Sequence, residues 1–236
     1  MKTIKQTATL WVLQVAANAA LLALFTWWLN WPDSNKAYIV ATCLTAAFML
    51  FAAMWLHCGT LAAFAEPADS LGDCFRRALR RLPAFLLWVV VLAVLIWGLR
   101  EWKDFIPQAS VRFAQILHMS PRTVAEIGDW KVFILEWIVL PALLWPFAFE
   151  IAGHGFRGWH PRAFKYLRSG RYWLCLAIAL GLGLALPYKL VWWKQPIRAS
   201  LLDQQLSLGV RFSAAYLLGV TSWVMLAALM NKRKTA

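Results

Sequence analysis

Ser70-Leu-Gly-Asp-Cys-Phe-Arg-Arg-Ala-Leu-Arg-Arg-Leu-Pro83 separates two apolar runs, and its reading decides how the rest of the chain is understood. Leu71, Cys74, Phe75, Ala78, Leu79 and Leu82 recur at the i, i+3, i+4, i+7 spacing of one helical face. Asp73, Arg76, Arg77, Arg80 and Arg81 fall on the opposite face. The pattern returns in weaker form at an offset of 85 residues. Arg77-Ala-Leu-Arg-Arg-Leu82 then corresponds to Arg162-Ala-Phe-Lys-Tyr-Leu167, and Trp88 to Trp173. Glu66 has its counterpart in Glu150 at an offset of 84, which requires a one-residue insertion between the landmarks.

Composition sets the class. Of 236 residues, 61% are hydrophobic and 15% charged, and the mean hydropathy is +0.58. A water-soluble domain of this length could not hide so much apolar surface. Apolar runs near 20 residues match the roughly 30 Å hydrocarbon core of a bilayer. Six such runs are predicted, at about 9–29, 38–65, 84–99, 132–152, 172–191 and 210–230. The predicted fold is therefore an all-α, polytopic bundle of six transmembrane helices, forming a single domain over 1–236. Its two basic stretches are expected to be amphipathic helices lying at the membrane surface. Because both fall on the same side, the duplication reads as a parallel internal repeat, related by an axis along the membrane normal.

Several local features refine the spans. Basic residues precede the first run, but it ends in Trp27, Trp28 and Trp31. A cleaved signal peptide would end in small residues, so a retained helix is expected. Gln14 and Asn18, four residues apart, are expected to find partners on neighbouring helices. Within 100–130, Gln108–Leu117 is a candidate short amphipathic helix, and Ser120-Pro121 reads as an N-cap followed by proline at the first helical position. Pro141 and Pro146 should disturb the fourth span, and Gly181, Gly183 and Pro187 the fifth.

Charge gives the orientation. The net charge of +13 would suggest nucleic acid in a soluble protein, but here the bases flank apolar spans and no binding motif is present. With six spans, both termini share a side with the two basic stretches. That side carries fourteen of the 24 Lys and Arg residues. The positive-inside bias therefore places both termini in the cytoplasm. Trp27, Trp28, Trp31, Trp97, Trp102, Trp130, Trp192 and Trp193 gather near the other ends of the spans, as an outer aromatic belt would.

Few residues suggest chemistry. Glu136 lies within an apolar run, which makes it a substrate-pathway candidate, although the nearby Lys131 also fits an interfacial ion pair. Glu66 and Glu150 are pathway candidates too, and ion pairing with the basic stretches is the simpler reading. Arg76, Arg77, Arg80, Arg81, Arg162 and Arg168 are candidates for binding anionic lipid head groups. The four cysteines show no C-x-x-C spacing and are expected to be buried small hydrophobes. His57, His118, His154 and His160 form no ligand pattern, so neither metal nor cofactor is expected. Gly153-His-Gly155-Phe-Arg-Gly158 lacks the lysine of a phosphate loop, and no nucleophile elbow occurs.

From Glu66 to Trp88 and from Glu150 to Trp173 the chain resembles bacterial six-helix membrane families of the YciC type. It also resembles the membrane domain attached to some glycerophosphodiester phosphodiesterases. Those families likewise set an Arg-rich amphipathic segment between transmembrane helices. The resemblance implies a small bacterial inner-membrane protein and transfers no catalytic residue. Three functional classes are compatible with these readings. The first is a non-enzymatic protein that binds or moves a lipid-like or amphiphilic molecule, with anionic membrane lipids as partners. The second is an assembly subunit packed against another membrane protein, and the third is an intramembrane enzyme.

Overall fold

The computed structural model describes residues 2–31, 35–66, 70–193 and 200–231. The turn at 32–34, part of the polar interval at 194–199 and the basic tail at 232–236 lie outside the described residues. Among the described residues all regular structure is helical: α1 (Lys2–Trp28), α2 (Lys36–Ala65), α3 (Leu71–Leu117), α4 (Pro121–Ile134), α5 (Leu140–His154), α6 (Gly170–Leu180), α7 (Leu186–Val191) and α8 (Leu201–Asn231). Six stretches are long and apolar enough to cross a membrane: Lys5–Trp28, Lys36–Ala65, Leu71–Leu117, Pro121–Gly158, Gly170–Val191 and Leu202–Met230. The protein is a multi-pass, all-α membrane protein.

Helix starts follow from capping chemistry. The side chains of Asn35, Ser70 and Ser120 accept from the backbone N–H groups of Tyr38, Asp73 and Thr123 at 3.0, 3.1 and 3.1 Å. Each satisfies a donor that the first helical turn would leave unpaired. The Ser120 cap and the following Pro121 lie where the sequence places them. At the other end of α3, His118 adopts the left-handed conformation with φ 53° and turns the chain back into α4.

The basic stretch at 70–83 is not a helix of its own. It forms the first turns of α3, which continues through the third span and the 108–117 segment for 47 residues. At 1.5 Å per residue such a helix is about 70 Å long, more than twice the hydrocarbon thickness of roughly 30 Å. Its last turns pack against α4 as a helical hairpin beyond the bundle. The second basic stretch, unlike the first, is not α-helical. It folds into two 3-10 turns, Gly155–Gly158 and Pro161–Arg168. Pro161 forces His160 into an extended conformation (φ −127°, ψ 141°), so the helical path of α5 cannot continue through it.

Proline and glycine disturb the fourth and fifth spans in the same way. A π-turn, Leu135–Val139, ends two residues before Pro141, and another, Gly181–Ala185, ends two residues before Pro187. In each, the next N–H reaches back five residues, from Leu140 to Leu135 and from Leu186 to Gly181. Proline lacks an N–H and its ring crowds the carbonyl four residues earlier, and one extra residue in the preceding turn relieves that conflict. Pro146 leaves α5 unbroken but frees the Ala142 carbonyl, and the Tyr172 hydroxyl donates to that oxygen at 2.7 Å.

Packing is lopsided along the bundle axis. Buried residues concentrate near the basic stretches: Leu56–Ala65 in α2, Cys74–Phe85 in α3, Ala142–Gly153 in α5, and Val224–Met230 in α8. Trp11 donates to Thr221 at 3.0 Å and Tyr216 donates to the Val15 carbonyl, so α1 and α8 run antiparallel. Tyr166 and Ser169 share a small crevice with Leu229 and Met230. Both ends of the described chain therefore lie at the basic end. Trp27, Trp97, Trp102, Trp130, Trp192 and Trp193 are exposed, toward or beyond the opposite end. Cysteine burial is as read for Cys58, Cys74 and Cys175, but Cys43 is exposed because its turn of α2 lies outside the close-packed half.

Candidate functional site

At the basic end, the ends of α2 and α5 meet the start of α3. Arg81 donates to Glu66 Oε2 at 2.6 Å and to the Ala152 carbonyl at 2.8 Å. Ala152 belongs to the last turn of α5, whose carbonyls lack helical partners and carry the negative end of the helix dipole. One guanidinium thus joins three helices. Arg77 stands farther off, 3.7 Å from the same carboxylate oxygen. The Arg81 hydrogen bond holds the Glu66 carboxyl below its ordinary glutamate range. Gly155, with φ 62°, lets the chain turn beside the Arg81 stem.

Glu150 is held differently. It accepts from the Tyr166 hydroxyl at 2.9 Å, with Lys165 at 3.5 Å and His154 at 3.6 Å. Its partners are therefore a phenol, a lysine and a histidine rather than arginines. Tyr166 follows Arg81 by the same 85 residues that separate the two basic stretches. The two acids thus accept from donors 85 positions apart in the sequence, by different chemistry. Gly158 lies against the last turns of α5, where a Cβ would stand 2.4 Å from the Ile151 nitrogen and 2.5 Å from the Glu150 carbonyl oxygen.

The head-group candidates divide into two sets. Arg77 and Arg81 turn inward onto Glu66, whereas Arg76, Arg80, Arg162 and Arg168 are exposed at the bundle edge. Arg157 and Arg171 are exposed there too. They were countable as bases of the second stretch, but only the structure sets them beside the others. Glu136 is remote from this end. It sits in the first π-turn and faces Arg100 of α3, with Nε 3.8 Å from its carboxylate. The three acids therefore do not form one site.

A second feature lies where the tight core gives out. A cleft of about 710 Å³ runs between α1, α2 and α8. Its floor includes Gln14, Asn18, His57 and Trp223, and its far end includes Phe25 and Trp28. Gln14 is 1% exposed and donates to Thr60 Oγ1 at 2.6 Å, while Asn18 donates to Gln14 Oε1 at 2.7 Å. The expected polar contacts of the first span are thus made with α2 and within α1. His57 packs against Trp223 with ring centroids 5.2 Å apart, and its buried Nδ1 has no hydrogen-bond partner among the described residues. Its neighbour Cys58 instead approaches the Ala78 carbonyl of α3 at 3.9 Å, as adjacent helical residues facing different ways should. Sequence reasoning could note His57 as polar within an apolar run. It could not bring together helices separated by more than 150 residues.

Among the described residues, no three His, Cys, Asp or Glu side chains come together as a metal site. The chain matches no family model, no curated protein and no solved structure.

Proposed function

We propose that the protein binds or moves a lipid-like, amphiphilic molecule in a bacterial inner membrane, without covalent chemistry. Anionic head groups meet the bundle at its basic end, and both termini are cytoplasmic. The observation that carries this reading is the division of the arginines. Arg77 and Arg81 are occupied with Glu66, while Arg76, Arg80, Arg162 and Arg168 remain exposed along one rim. A basic residue near an anionic membrane surface contributes about 1 kcal/mol, screened by salt. The parallel repeat, with Arg81·Glu66 answering Tyr166·Glu150, fits two related halves sharing this rim.

The test replaces Arg76, Arg80, Arg162 and Arg168 together with glutamine and compares copurified lipid by native mass spectrometry. Loss of retained anionic lipid from a monodisperse variant supports the reading, and an unchanged lipid profile sinks it. A parallel measurement asks whether Glu136→Gln alters lipid transfer between liposomes without equally altering stability. No transfer above empty liposomes in any sample would remove the transport half of the proposal.

A second reading has one observation in its favour. The hairpin formed by the end of α3 with α4 exposes apolar side chains beyond the bundle, among them Ile116 at 71%, with Trp102, Phe113 and Trp130 also exposed. An assembly subunit would bury that surface against another membrane protein. A stoichiometric partner that is lost on Ile116→Glu substitution would favour it.

A further inference from the structure

Building on the lipid-handling reading, we propose that the cleft between α1, α2 and α8 binds an uncharged amphiphile that enters sideways from the bilayer. Its hydrogen-bonding end, a hydroxyl or carbonyl, sits against His57, and its apolar tail extends toward Trp28. The size falls within the 300–1,000 Å³ usual for small-molecule sites, which are mostly apolar with a few convergent polar groups. Leu22, Phe25 and Leu50 line the cleft and are also exposed on the bundle surface, so its open side faces lipid. From Gln14 to Trp28 the α1 wall runs for about 21 Å at 1.5 Å per residue, long enough for an extended acyl or prenyl tail.

Polarity along this wall is uneven. Phe25 and Trp28 stand at one end, and Gln14, Asn18, His57 and Tyr216 at the other. Three of those four already have partners: Gln14 on Thr60, Asn18 on Gln14, and Tyr216 on the Val15 carbonyl. His57 has none among the described residues. Its Nδ1 is enclosed while the ring lines the cleft, so Nε2 is the nitrogen an incoming group meets. A polar nitrogen without a partner in an apolar medium is costly, and a ligand hydroxyl or carbonyl removes that cost at Nε2, while the enclosed Nδ1 is left as it is. The occupant carries no charge, because among the described residues neither an acid nor a Lys or Arg lines the cleft. Anionic lipids are thereby directed to the basic rim, and neutral ones to the cleft.

The experiment uses full-length protein in phosphatidylcholine nanodiscs with a diazirine-bearing hexadecanol, and the matching hexadecyl phosphate as the charged comparison. The alcohol should crosslink to cleft-lining peptides of α1, α2 and α8, and unlabelled hexadecanol should compete it away. His57→Leu should weaken that competition about fivefold, the equivalent of one neutral hydrogen bond, and His57→Gln should largely retain it. Ala53→Phe, which fills the cleft from α2, should abolish cleft labelling while the protein stays monodisperse. Uniform labelling of all lipid-facing helices without competition would overturn the proposal. So would equal labelling by the alkyl phosphate, or crosslinks between cleft residues of two copies showing that a second chain fills the space. Lipid retention by the rim arginines is read in separate samples. Absence of competable cleft labelling in the wild type, with rim binding intact, defeats this inference alone, and the reverse defeats only the head-group reading.

Discussion

Arg81 and Glu66 form the shortest ion pair among the described residues, at 2.6 Å, and the same guanidinium also donates to the Ala152 carbonyl of α5. Arg81 is 19% exposed at its side chain and Glu66 44%, so water weakens the pair without dissolving it. Removing the arginine also strips the α5 terminus of its donor. Arg81→Gln is expected to destabilise the protein by about 1.5 kcal/mol, the lower end for a charge-assisted hydrogen bond. Arg77→Gln, from the longer contact, should cost under about 1 kcal/mol. Thermal unfolding in one detergent checks the order, and equal losses would show that Arg81 holds nothing together.

The same pair makes stability depend on acid. Glu66 has its carboxyl lowered by the Arg81 hydrogen bond, so the folded state favours the ionised form. The resulting stabilisation is fully present above the unfolded glutamate value of about 4.3. It is lost as pH falls through that value toward the lower folded one. Wild type should therefore lose more stability than Glu66→Gln between neutral pH and the acid limb of the profile. Parallel pH profiles of the two proteins would show that Glu66 contributes no such linkage.

Tyr172 and Pro146 should be energetically coupled. Pro146 deprives the Ala142 carbonyl of its helical donor, and the Tyr172 hydroxyl supplies one in a buried setting. Tyr172→Phe should cost about 1–3 kcal/mol, the penalty for orphaning a buried acceptor. In a Pro146→Ala background the restored N–H at position 146 serves that carbonyl, and the same substitution should cost much less. A double-mutant cycle measures the difference, and additive losses would contradict the role given to the tyrosine.

Topology has its own test. Gln115 lies near the hairpin tip and Arg168 on the basic rim, and both are exposed. Cysteines placed at these two positions should react with a membrane-impermeant thiol reagent from opposite sides of the membrane. Labelling of both from one side would remove the reading of α3 as a crossing helix.

Much of the fold was legible because bilayer physics acts on composition over long windows. Six spans, the Ser120 cap and the disturbed helices at Pro141 and Pro187 all follow from local rules. The basic stretch at 70–83 misled where local rules end. Its apolar face is the one α3 turns toward α2, and an amphipathic pattern alone does not distinguish that from a helix lying on a membrane. Pro83, the last residue of that stretch, is held inside a continuous helix. The acids show the same limit: Glu66 and Glu150 were paired by sequence offset, but Tyr166 as the second donor required coordinates. The cleft at His57 was least legible, since its walls come from the beginning, the second span and the end of the chain.

That closure has a consequence for synthesis. Trp11 and the Val15 carbonyl find their partners on α8, at sequence separations of 210 and 201 residues. As the chain emerges from the ribosome and enters the bilayer, α1 waits for α8 before this flank is covered. A chain synthesised only as far as α7 leaves the Trp11 indole and this flank of α1 without these partners. Packing around α1 is thus completed by a helix made some 200 residues after it.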